Sequence, residues 1–211
     1  MLKDLVNLRL QGDLRISGLR NLVSIEDAKD VGLKYKHKLE RLCLSWDDDD
    51  LSCWHPLEKI GLHLEAFLEE IKDVPANEKR EEALLEYLQP PANLKKLLID
   101  GYGGSKFPEW VGNPLSFASL KDIVIIDCEK IRSLPLHIHD SLGKLDASLS
   151  KSMLERVSIF GCPKLTSIGG LHNLHSLKEL RISICPQLLI LSEEGLQSKL
   201  QKLCILRSAN G

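Results

Sequence analysis

"LERVSIFGCPKL", residues 154–165, decides how this chain folds. Leu154, Val157, Ile159, Cys162 and Leu165 are apolar posts, and the middle three alternate with outward-facing residues as a short strand requires. Twenty-three residues further on, "LKELRISICPQL" (177–188) repeats the phrase, with Cys185-Pro186 standing where Cys162-Pro163 stood. A phrase that returns at a fixed period reports architecture before chemistry.

Working outward, "LKDIVIIDCEKI" (120–131) fits the same spacing, and "LQKLCI" at 200–205 begins another unit. Looser units start at Leu94 ("LKKLLIDGY"), Leu39 ("LERLCLSWD"), Leu14 ("LRISGL") and Leu5 ("LVNLRL"). The spacing L-x-x-L-x-L-x-x-C-x-x-L is close to the leucine-rich-repeat template, in which each coil is one strand and a return. The expected fold is therefore an α/β leucine-rich-repeat solenoid of six to eight coils. It is a curved horseshoe, with short parallel strands on the concave face and irregular helices and loops on the convex face. The whole chain, 1–211, forms one such domain. An acidic insertion at about 47–77 accounts for the long step from Leu39 to Leu94.

The template also explains the cysteines. Cys128, Cys162 and Cys185 occupy the post where the chain turns after each strand; a small side chain with a weak S–H donor fits there and can serve a buried carbonyl. No C-x-x-C pair exists to start a metal site, and His172 with His175, or His137 with His139, lacks companion ligands at the spacing a metal needs. No structural metal is expected.

Alternation places three columns of side chains on the concave face. One reads Arg41, Lys96, Asp122, Arg156, Glu179, Lys202; the next Cys43, Leu98, Val124, Ser158, Arg181, Cys204; the third Ser45, Asp100, Ile126, Phe160, Ser183, Leu206. Leu98, Val124, Ile126 and Phe160 are apolar at positions where a solvent-facing strand would be polar, which marks a contact surface. With Arg156 and Arg181 they form the candidate binding face. Cover of this patch by the insertion or by a neighbouring domain is the competing expectation.

Between strands, Ser24 with Asp27 resembles a helix-capping pair, and Ala28, Val31 and Tyr35 share one helical face. Asn77 caps a second helix over 77–88, whose Leu84, Leu85 and Leu88 make an apolar stripe that ends at Gln89-Pro90-Pro91. Inside the insertion, Leu57, Ile60, Leu64, Phe67, Leu68 and Ile71 recur at helical spacing and are expected to fold back onto the solenoid. Asp47–Asp50 lack the alternation and turn glycine of a calcium loop. "GYGGSKFPEW" (101–110) hints at a phosphate cradle, but G-x-x-x-x-G-K-[ST] occurs nowhere; a structural turn is expected, with Trp110 as a core anchor.

Charge narrows the function classes. Lys and Arg total 28 against 30 Asp and Glu, a net charge of −2, which gives no bulk attraction for nucleic acid or an anionic membrane. The balance is uneven: residues 47–82 are acidic and residues 141–211 are basic. No segment has the apolar length of a membrane span or signal peptide, so reduced cysteines and a cytoplasmic or nuclear location follow. No G-x-S-x-G elbow or triad stands out, and an enzyme is not expected. Two alternatives are kept: a substrate-recognising adaptor of ubiquitin-ligase type, and an unrecognised hydrolase, for which His137, His139 and Ser105 would be the residues to test.

"LRISGLRNLVSIEDAKDVGLKYKHKLERLCLSWDDD", then "EALLEYLQPPANLKKLLIDGYGGSKFPEWVG", then "LKDIVIIDCEKIRSLP" resemble, in order and spacing, the leucine-rich-repeat region of plant intracellular immune receptors of the coiled-coil, nucleotide-binding type. The resemblance implies a plant innate-immunity role. The repeats would sense a pathogen effector or a guarded host protein, contact the receptor's own nucleotide-binding domain, and restrain its switch. The ADP or ATP of that family belongs to the nucleotide-binding domain; nothing in this sequence carries its phosphate loop, so no cofactor is expected here.

Overall fold

A computed structural model describes residues 2–48, 77–111, 119–136, 152–189 and 199–206. Seven parallel strands form one sheet in the order β1 (Gln11–Ile16), β2 (Lys38–Ser45), β3 (Lys96–Asp100), β4 (Asp122–Ile126), β6 (Arg156–Phe160), β8 (Glu179–Ser183) and β9 (Lys202–Leu206). Two further strands, β5 (Ser133–Pro135) and β7 (Ser167–Gly169), pair on the return side of their coils. Parallel neighbours need a crossover, and here each crossover is the rest of a coil. This is the leucine-rich-repeat solenoid the period predicts.

The inward posts build one continuous core. Leu42, Leu97, Ile123, Val157 and Leu180 follow one another across the strands, as do Leu44, Ile99, Ile125, Ile159 and Ile182, and all are buried. Burying each such side chain stabilises by about 1.5–3 kcal/mol before entropy is counted. A coil has no interior of its own, so these contacts form only by stacking. Trp110 and Val111 join the same core.

The sheet strands β3, β4, β6 and β8 end alike. The next residue, Gly101, Asp127, Gly161 or Ile184, adopts a positive φ of 71°, 49°, 61° and 55°. Its N–H then donates to the last strand carbonyl of the following coil: Gly101 to Ile126, Asp127 to Phe160, Gly161 to Ser183 and Ile184 to Leu206, at 2.9–3.1 Å. The left-handed turn thus swings the chain out of the sheet while the hydrogen-bond ladder runs one residue further. Glycine suits this conformation; a β-branched residue does not, so Ile184 is held there by its surroundings.

Near the N-terminus the details differ from the sequence reading. Leu2–Leu5 is a 3-10 turn, so the first coil begins with β1 and not at Leu5. The first helix, α1 (Glu26–Val31), has Ile25 at its N-cap with no side-chain cap bond. Ser24 Oγ instead donates to Glu26 at 2.6 Å, and Asp27 is buried against Lys3. The helix stops at Gly32, φ 58°, so Tyr35 falls in a separate 3-10 turn and is exposed, while Ala28 and Val31 face the core. The second helix, α2 (Glu78–Tyr87), follows the expectation: Asn77 Oδ1 accepts the Arg80 N–H at 3.3 Å, and Leu84, Leu85 and Leu88 are buried. The apolar stripe of the insertion lies outside the described residues, as do His137 and His139.

Candidate functional site

Strand registers align the side chains of the outer sheet face. Arg41, Lys96, Asp122, Arg156, Glu179 and Lys202 are register partners in turn, and so are Cys43 to Cys204 and Ser45 to Leu206. β1 extends the first two columns with Asp13 and Arg15, paired in register with Arg41 and Cys43. The looser spacing at Leu14 hid them, although the alternation Asp13, Arg15 between Leu14 and Ile16 was there to read.

Leu98, Val124, Ile126 and Phe160 come together with Cys43 as a second apolar cluster, separate from the main core and 0–6 % exposed. Four adjacent strands, β2, β3, β4 and β6, contribute to it. Cover by the insertion concerns residues outside those described.

Charges flank this cluster. Arg156 donates Nη2 to Asp122 Oδ2 at 2.6 Å, and the bond raises its already high pKa. Arg181 donates Nε to Glu179 Oε1 at 2.7 Å, and Lys202 reaches the same oxygen at 3.2 Å. Burial pushes the Glu179 carboxyl up, but the bonds from Arg181 and Lys202 outweigh it and hold the group below its ordinary value. Asp13 is bidentate to Arg41. One residue earlier in the coils a second ladder links Glu40 to Lys95 at 2.7 Å and Glu155 to both Lys178, 3.0 Å, and Lys121, 3.8 Å. Arg156 thus stands on the face already ion-paired to its register neighbour Asp122, and Arg181 to Glu179 on its own strand.

Behind the strands the three cysteines form a column. Cys128, Cys162 and Cys185 each donate Sγ–H to the carbonyl two residues upstream, on Ile126, Phe160 and Ser183, at 3.3 Å. All three are buried and free. The Cys128 thiol beside it, and burial, push Cys162 well above the ordinary thiol range; Cys162 and burial push Cys185 the same way. Such thiols are poor nucleophiles and poor metal ligands. Among the described residues no group of His, Cys, Asp and Glu is placed to hold a metal.

In the third coil the cysteine post is taken by Tyr102. Its ring is buried, edge-on to Trp46 (centroids 4.9 Å) and stacked on Phe107 (5.4 Å), and its hydroxyl donates to the Lys106 carbonyl at 2.7 Å. A Cβ on Gly104 would run into the Tyr102 phenol, so the loop needs glycine there.

The loop's amides are occupied from within. Gly103 N–H donates to Glu81 Oε2 at 2.5 Å; Ser105 N–H, Ser105 Oγ and Lys106 N–H donate to Glu82 Oε1 at 3.1, 2.8 and 3.2 Å. Two adjacent carboxylates of α2, Glu81 and Glu82, therefore fill the cradle that "GYGGSK" suggests. Glu81 is buried, and burial raises its pKa above the ordinary 4.5 against the pull of the Gly103 N–H and of Arg20, Lys130 and Arg80. These two acids escaped the sequence reading, because helix spacing alone does not say that a helix start meets a loop twenty residues later.

Stacked parallel strands, an aliphatic core at fixed posts and a repeated thiol turn define a leucine-rich-repeat domain, a class that works by binding other proteins. Residues 2–150 match the family described as R13L1/DRL21 leucine-rich repeats, and the chain belongs to it. Over 98 % of its length it is 32 % identical to "Putative disease resistance protein At3g14460" of Arabidopsis thaliana. Over 64 % it is 33 % identical to "Putative disease resistance protein RGA1" of Solanum bulbocastanum. The aligned stretches span 13 % and 11 % of those relatives. No solved structure matches the chain at comparable stringency. No helix among the described residues is long and apolar enough to cross a membrane.

Proposed function

We propose that this chain is the protein-recognition part of an intracellular plant immune receptor. In that reading its outer sheet face senses a pathogen effector or a guarded host protein. By contact with the receptor's nucleotide-binding domain, it also restrains a nucleotide switch carried elsewhere. It acts in the cytoplasm or nucleus, by binding and without catalysis, and holds no nucleotide itself. The relatives support the defence setting through their names as disease resistance proteins.

One observation carries the reading. Cys43, Leu98, Val124, Ile126 and Phe160 form a contiguous apolar cluster on the sheet face that the solenoid core does not use. Apolar side chains there pack on one another across four strands and not into the solenoid core, and such a patch marks a contact surface. A partner using Leu98 and Phe160 must gain access to side chains that are buried in this structure.

The test is affinity capture from plant tissue, with and without pathogen challenge, comparing the wild type with Leu98→Asp/Phe160→Asp. The variant is expected to keep the far-ultraviolet circular dichroism of the wild type and to lose the captured protein. Equal capture by both would refute the assignment.

A further inference from the structure

Among the described residues the two charge ladders of the outer face hold more cations than acids. From β3 to β9 the first outer column and the position before it carry Lys95, Lys96, Lys121, Arg156, Lys178 and Lys202 against Asp122, Glu155 and Glu179, six cations to three acids. The chain as a whole has a net charge of −2, so this strip runs against the balance of the molecule. Its carboxylates are shared. Lys121 and Lys178 both reach Glu155, at 3.8 and 3.0 Å, and Lys202 and Arg181 both reach Glu179 Oε1, at 3.2 and 2.7 Å.

Depth sorts the two signs. The side chains of Lys95, Lys121, Arg156, Lys178 and Lys202 are 50–59 % exposed, those of Asp122, Glu155 and Glu179 only 15–20 %. The acids lie low and the cation heads stand out over them, so a molecule approaching this face meets ammonium and guanidinium groups first. Neighbouring strands set these groups roughly 4.8 Å apart. Exposed ion pairs are weak, and a flexible lysine stem lets its head turn from a sunken partner to an incoming one.

Nucleic acid and acidic protein both offer anions, and two features favour protein. Single-stranded nucleic acid is held by cations interleaved with aromatic rings on which bases stack, and neither position carries an aromatic residue on any strand of the seven-stranded sheet. The overall negative charge also gives no long-range pull on a polyanion. We infer that this strip docks an acidic segment of another protein, an extended stretch carrying several Asp or Glu side chains. The inference rests on the reading of the outer face as a protein-binding face, and on no residue of the apolar cluster.

Fluorescence anisotropy with a labelled oligoglutamate peptide and the full chain tests it. Binding is expected, and it should weaken as added salt screens the charges. Lys121→Glu/Lys178→Glu should weaken it by about tenfold or more while keeping the wild-type circular dichroism. Lys29→Glu/Lys34→Glu, the same change of charge on exposed residues of α1 and the 3-10 turn after it, should leave it within about twofold. Glu155→Gln, which releases two lysines from their shared carboxylate, should tighten it. Oligothymidylate of equal charge should bind more weakly than the peptide. No binding by the wild type, equal loss in both lysine pairs, or tighter binding of oligothymidylate would each overturn the proposal. Any of these, alongside loss of the captured protein by Leu98→Asp/Phe160→Asp, would strike the acidic partner and leave the apolar face standing.

Discussion

Gly161 follows β6 with φ 61°, and a Cβ added there would meet the Asp127 carboxylate of the preceding coil. The left-handed conformation alone costs an L-residue about 1–2 kcal/mol. Gly161→Ala should therefore lower the urea midpoint by at least that equivalent with an unchanged slope; an unaltered midpoint would show that the turn tolerates a side chain. What was legible at this scale was the post, not its conformation. Glycine at 101 and 161 hints at a positive φ, but Asp127 and Ile184 reach it too, and the spacing of leucines carries no information on a dihedral. Ile184 is the instructive case: its branched side chain argues against the turn it makes, and the inter-coil bond from its N–H to Leu206 overrides the local preference.

For the elements, the strands were readable because alternation has period 2 and every aliphatic post is spent on one face. The register followed from the same posts, which is why the three outer columns could be written down in order. Helix α2 was readable from its cap and its leucines. Its tie to the 101–106 loop was not, since that contact joins residues some twenty positions apart through carboxylates that look like ordinary acids near a helix start. Glu82→Ala should speed amide exchange at Ser105 and Lys106 at least tenfold, the order expected for losing about 1.4 kcal/mol of hydrogen bonding. The β4 and β6 amides should stay as slow as in the wild type. Unchanged exchange at 105 and 106 would mean that the aromatic packing of Tyr102, Trp46 and Phe107 holds the loop unaided.

Across the whole molecule, stability is a chain of nearest-neighbour terms and so varies with position. Among the described residues β3, β4 and β6 each have a strand neighbour on both sides. Native-state hydrogen exchange should show protection higher in β3, β4 and β6 than in the short 3-10 turn Leu2–Leu5. Equal protection in both would argue for a single cooperative block. The solenoid and its direction were legible from three cysteine phrases, and the defence setting from the loops around them. The apolar cluster on the outer face was legible only as an excess of apolar residues, because sequence names the column without saying what lies over it.

The shared ending of the coils has a consequence for how such a protein can change over generations. Strands β3, β4, β6 and β8 each leave the sheet through a left-handed residue that hands its N–H to the next coil. A genetic exchange that cuts between coils at this joint rejoins ends of matching shape, whatever the outward residues on either side. Coils can then be duplicated, lost or shuffled whole while the aliphatic posts stay in line. The outward columns are free to diversify at the pace of recombination rather than that of single substitutions.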